Sequence, residues 1–146
     1  MKAHNKRLQR IQLLMRLAEK EEQKALTQLV AMKEQWQNEQ QRLADIDRYY
    51  SEYRSQYEVS QQSTHMAAFT QLRQCLLNLD QTRELQTLQI QRAFDNYQQA
   101  DADWRQRHLK TQALQDYKQR SEQQFTLEQN KREQQHQDEL NTLRRP

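Results

Sequence analysis

Four histidines, one cysteine and 20 carboxylates are the residues of this chain that could do chemistry, and their spacing argues against it. His4, His65, His108 and His136 lie far apart, and none has a second ligand at i+4, so no metal site is expected. Cys75 has no adjacent His and no basic cluster to hold a thiolate, so it reads as a buried or half-buried packing residue. A single cysteine allows no internal disulfide, which fits a reducing compartment. Gly is absent, and with it any loop that could cradle a phosphate. No cofactor is expected.

The same composition describes the elements that would have to position a site. The only Pro is Pro146, so the usual turn formers are missing from the interior. The bulk is Gln, Glu, Lys, Arg, Leu and Ala, all good helix formers. A mean hydropathy of −1.34 and 34% hydrophobic residues are too little for a thick core but enough for a narrow seam between helices. Disorder is the alternative for so polar a chain, and periodicity decides against it. Leu8, Ile11, Met15, Ala18, Glu22, Ala25, Leu29, Met32, Trp36, Glu39, Leu43, Ile46, Tyr50, Tyr53 and Tyr57 recur at alternating steps of three and four. Only the two Glu break the apolar run, so the heptad is sustained well past what a coiled coil needs.

The pattern fails from Val59 to His65, where Ser and Thr compete for backbone hydrogen bonds. It resumes out of phase as Phe69, Leu72, Leu76, Leu79, Arg83, Gln86, Ile90, Ala93, Tyr97, Ala100, Trp104, Arg107, Thr111 and Leu114. A turn explains the lost phase. Folding the chain about residue 63 sets Tyr57 against Phe69, Tyr50 against Leu76, Trp36 against Ile90, Leu29 against Tyr97 and Ala25 against Ala100. The polar seam residues then find partners: Glu39 opposite Gln86 and one layer from Arg83, and Glu22 one layer from Arg107. In a parallel dimer Glu39 would face Glu39, an unpaired buried charge.

The expectation is therefore an all-α fold, a long antiparallel two-helix coiled-coil hairpin with unequal arms. It forms one domain over 1–146: helix one at about 5–60, a turn at about 60–65, and helix two at about 65–142. At ~1.5 Å per residue the arms would span roughly 80 and 115 Å. The C-terminal overhang, 121–146, is polar with scattered Phe125, Leu127, Leu140 and Leu143, and is expected to fray alone. Two helices offer no cleft in which to shift a carboxylate pKa, so the chain is not expected to be an enzyme. Its 23 basic and 20 acidic residues are interspersed, the solvated surface of a coiled coil rather than a nucleic-acid footprint. No apolar run approaches ~20 residues, so no membrane insertion is expected. The basic stretch 1–18 suggests a membrane-surface helix, but Leu8, Ile11, Met15 and Ala18 already serve the seam. In the cluster Tyr49, Tyr50, Tyr53, Tyr57, only Tyr49 lies beside the seam rather than on it, and it is the candidate exposed anchor.

Residues 6–57 carry a further pattern: Leu17-Ala18-Glu19-Lys20-Glu21, then Ala25, Leu29, Leu43, Ile46, Tyr49, Glu52 and Tyr53-Arg54. Cys75 to Thr82, the Trp104-Arg105 pair and Asp138-Glu139-Leu140 follow in the second half. In these elements, and over nearly its whole length, the chain resembles the FliJ family of flagellar export proteins. The resemblance implies a cytoplasmic stalk of the flagellar type III export machinery, peripheral to the inner membrane and monomeric when free. Its implied partners are the export ATPase hexamer, the cytoplasmic domain of the export gate, and export chaperones. The gate contacts it implies are Arg42, Ile46, Tyr49 and Tyr53 on helix one, and Cys75, Leu79, Thr82 and Gln86 on helix two. Paired antiparallel, from Arg42 with Gln86 to Tyr53 with Cys75, each pair of numbers adds to 128, which sets the stripes side by side. Cys75 and Thr82 depart from the family's Phe and Ala. The alternatives are the stalk of a virulence type III secretion system and a structural parallel dimer.

Overall fold

A computed structural model of the protein describes residues 2–61 and 66–144. They form two helices, α1 (Lys2–Ser60) and α2 (Met66–Arg144), and no strand occurs among them. The fold is all-α, two antiparallel helices of unequal length, 59 and 79 residues. No Gly or Pro interrupts either helix, and no cis peptide or positive φ occurs among the described residues. α1 closes where Ser60 Oγ donates to the Tyr57 carbonyl at 2.8 Å, beside the Gln61 N–H at 3.1 Å. Most of the expected turn, 62–65 with His65, lies outside the described residues. The C-terminal stretch, expected to fray, is helical through Arg144, with every side chain from Thr126 to Arg144 exposed. Gln, Glu, Lys and Arg are good enough helix formers to continue α2 once its earlier turns are packed.

The chain divides into two units, each built from a piece of both helices: Leu26–Asp103, and Met1–Ala25 with Trp104–Pro146. In both, the core is the seam. Every position of the first heptad series is at least partly shielded except Tyr53, at 36% exposed, and every position of the second except Arg83. The buried apolar seam residues are mostly small, Ala18, Ala25, Ala93 and Ala100, together with Ile11. Small side chains at these layers let the helix backbones approach, and the large side chains then lie along the groove.

Within Leu26–Asp103, Tyr57 stacks on Phe69 with ring centroids 4.7 Å apart. Trp36 was expected opposite Ile90. Its indole instead lies nearly parallel to the Tyr97 ring, at 5.6 Å and 9°, and tilts against Phe94 at 5.2 Å. The cause is the direction of the side chains. On a helix they lean toward their own N-terminus, so in an antiparallel pair the two sets lean toward each other. A long side chain can therefore reach a partner of higher number than the residue directly opposite. Arg83 obeys the same rule: its guanidinium leaves the layer of Glu39 and reaches Asp47 at 2.9 Å. A charged head carried outward on an apolar stem avoids desolvation.

Trp36 thus holds an aromatic cluster. Trp36→Ala should lower unfolding stability by about 2–4 kcal/mol, less than a fully dry Trp because it sits in a half-open seam. Leu88→Ala, on the exposed face, should stay within about 0.5 kcal/mol of wild type in the same urea titration. Equal effects would show that the cluster contributes no specific packing.

Candidate interaction surface

The two stripes implied by the family resemblance both lie in the unit Leu26–Asp103, but they are not equally presented. On α1, Arg42, Tyr49 and Tyr53 are exposed and Ile46 is half-buried. Tyr49 is 47% exposed, and the Arg48 guanidinium lies over its ring at 5.5 Å. On α2 only Thr82 is exposed, and its hydroxyl is turned back to the Asn78 carbonyl at 2.9 Å. Cys75, Leu79 and Gln86 are half-buried.

Gln86 and Arg42 converge on Glu39, which is only 5% exposed. Gln86 Nε2 donates to Glu39 Oε2 at 2.6 Å and to its backbone carbonyl at 2.8 Å. Arg42 Nη1 donates to Oε1 at 3.2 Å, and Gln35 Nε2 to the same oxygen at 2.8 Å. Both carboxylate oxygens are therefore satisfied, as a buried charge requires. Gln35 went unremarked in the sequence, although i−4 from an acid on a helix is the spacing that brings a Gln amide within reach. Arg83 takes no part in this cluster. Its contact with Asp47 is ionic and half-exposed, so its net contribution is small.

The second polar layer lies in the other unit. Glu22 Oε1 and His108 Nδ1 are 2.7 Å apart. An ionised carboxylate only accepts, so Nδ1 carries the hydrogen. Arg107 Nη1 donates to Glu21 Oε2 at 2.8 Å, so Arg107 serves the residue before the one assigned to it. The hydrogen bond from His108 chiefly holds the Glu22 carboxyl below its ordinary value of 4.5. Burial opposes it, and the Thr111 hydroxyl and the His108 charge add to it. Trp104 stacks on His108 at 5.0 Å, and its buried Nε1 has no acceptor among the described residues. The sequence signal for His108 was weak, since it sits one place beyond the seam position Arg107; the inward lean of antiparallel side chains supplies the missing reach.

No three His, Cys, Asp or Glu side chains among the described residues gather as metal ligands. No described helix is long and apolar enough to cross a membrane.

Two antiparallel helices of this composition, packed on each other along one narrow seam, define a helical coiled-coil protein. The family described as "Flagellar FliJ protein" matches residues 6–145, nearly the whole chain, and the chain belongs to that family. It is accordingly a protein associated with flagellar export, from a family of structural and export components rather than enzymes. Searches of curated proteins and of solved structures find no match.

Two outcomes follow from the polar layers. Glu39→Ala should cost about 1–3 kcal/mol, because it leaves the Gln86 amide short of an acceptor. Glu39→Leu with Gln86→Leu should recover most of that loss, since an apolar pair needs no partner. Additive losses in a double-mutant cycle of thermal unfolding would show that the two residues do not act together.

The second outcome concerns pH. A carboxyl whose pKa is depressed by folding adds stability above its unfolded pKa, and loses it as pH falls through the folded one. The stability difference between wild type and Glu22→Gln should therefore be full above about pH 4.5 and vanish in more acidic solution. A difference independent of pH would contradict the His108 bond.

Proposed function

We propose that this chain is the coiled-coil stalk of a flagellar type III export apparatus. It engages the export ATPase ring and the cytoplasmic domain of the export gate, and it escorts export chaperones. It acts without catalysis of its own, and it is held at the inner membrane face as a peripheral component. The observation that carries the reading is the family match over residues 6–145. The exposed Tyr49, on a helix anchored beside it by the Glu39 cluster, supports it at the level of a residue. An aromatic ring displayed on a rigid element is a favoured anchor, because little entropy is lost when a partner covers it.

Tyr49→Ala separates this role from a structural one. Thermal unfolding should stay within about 0.5 kcal/mol of wild type, because the ring is half in water. Affinity for the purified gate domain should fall by about thirtyfold, the equivalent of ~2 kcal/mol, while binding to the export ATPase persists and motility drops. The sequence reading gave Tyr53 a seam role, but its exposure makes Tyr53→Ala only mildly destabilising. Unchanged gate affinity in Tyr49→Ala, measured by titration calorimetry, would remove Tyr49 from the contact.

A further inference from the structure

In the basic N-terminal stretch, Leu8, Ile11, Met15 and Ala18 belong to the seam. The structure keeps those residues in the seam and shows what remains on the other side. Leu13, Leu14 and Leu17 are 59%, 52% and 52% exposed. Lys6, Arg10, Leu13, Leu17, Lys20 and Lys24 recur at steps of four, three, four, three and four, and all six are exposed. From Arg10 on, each member of this second stripe lies two residues past a seam position, about 200° round the helix, and so faces away from α2. Residues 2–18 hold five Lys or Arg and no carboxylate. Of the acids that follow, Glu21 and Glu22 bond to Arg107 and His108 of α2. Glu19 stands about 100° round from Lys20.

We propose that this outer face of α1, from Lys6 to Lys24, adsorbs to an anionic lipid surface. Leu13 and Leu17, with Leu14 beside them, enter the headgroup boundary, and the four cations of the stripe sit among the phosphates. Charge complementarity selects the occupant. A second copy would set cation against cation, so the stripe cannot pair with itself. An acidic protein groove satisfies the charge but fits the residue types less well. Three of the four cations are Lys, which protein interfaces deplete, and the face has no aromatic anchor. A lipid surface attracts Lys and Arg alike without demanding fixed geometry, and it accepts leucines beneath a cationic rim. The face lies along the surface and spans nothing. The proposal is independent of the gate-binding role of Tyr49, which lies in the other unit.

Flotation of the full chain with vesicles tests it. Binding is expected to vesicles of about three parts phosphatidylcholine to one of phosphatidylglycerol, to weaken with added salt, and to be absent with phosphatidylcholine alone. Replacing Lys6, Arg10, Lys20 and Lys24 with Gln, an equally good helix former, should weaken partition by roughly a hundredfold or more. Leu13→Ser with Leu17→Ser should weaken it by roughly tenfold or more and leave the salt dependence in place. Circular dichroism and thermal unfolding of both variants should match wild type, because every altered residue is exposed. No binding to the phosphatidylglycerol vesicles, equal binding to both kinds, or undiminished binding by the four-Gln variant would overturn the proposal. So would a four-Gln variant that keeps lipid binding but loses binding to the purified export ATPase, which would assign the stripe to a protein partner.

Discussion

Glu39 is a carboxylate held nearly dry in a structure one seam thick, and that constraint organises much of the unit around it. A layer of two helices cannot hide a charge behind further protein, so a charged residue on the seam must be answered from the facing helix or from its own. Gln86 answers Glu39 twice, at the carboxylate and at the backbone carbonyl. Leucine, alanine and tyrosine layers would tolerate several alignments, because apolar contact is not directional. A slip of one heptad would set Leu79 or Ala93 against Glu39 and leave the charge unanswered. Apolar burial thus provides the association, while the polar pair selects one register among those the apolar layers allow.

The direction of the side chains decides the rest of the contacts. Both helices point their side chains toward lower residue numbers, and antiparallel packing turns those directions toward each other. Trp36 consequently reaches Tyr97, one heptad past its opposite number, and Arg83 reaches Asp47. In the other unit the same convergence brings His108 to Glu22 and the His4 ring onto Phe125, with centroids 3.6 Å apart. The displacement is not uniform: Trp36 meets Tyr97 a heptad past its opposite number, whereas Tyr57 stacks on Phe69 directly opposite.

This offset explains what was legible in the sequence. The two heptad series, their broken phase and the antiparallel arrangement follow from spacing alone, because burial of the seam depends only on which face a residue occupies. The partners of Arg83, Arg107 and Trp36 did not follow, because a layer diagram treats each side chain as a point opposite its Cα. The participation of Gln35 and His108 was harder still to see. Gln35 is one of 29 glutamines, most of which lie on solvated positions, and composition alone does not distinguish it. The leucines of the outer α1 stripe were visible as residues but hidden by a correct inference, since the apolar count of that stretch was already explained by the seam.

The eight residues of the two mid-chain stripes divide unevenly between their helices, and that division bears on how a partner would read them. Gln86 is bonded to Glu39, Thr82 is turned to its own backbone, and Cys75 and Leu79 are half-covered by the seam. On α1, by contrast, Arg42, Tyr49 and Tyr53 stand in solvent, and Arg42 reaches Glu39 with an otherwise exposed side chain. On the proposed reading, a partner at this surface takes its polar and aromatic contacts from α1. From α2 it finds mainly a shaped, partly apolar floor. The Cys75 side chain is smaller than the Phe the family resemblance leads one to expect there, so that floor is recessed rather than filled at this position. Tyr53, the one position of the first series that the seam does not cover, stands on the α1 side of that floor, so a partner meets its ring without first displacing α2.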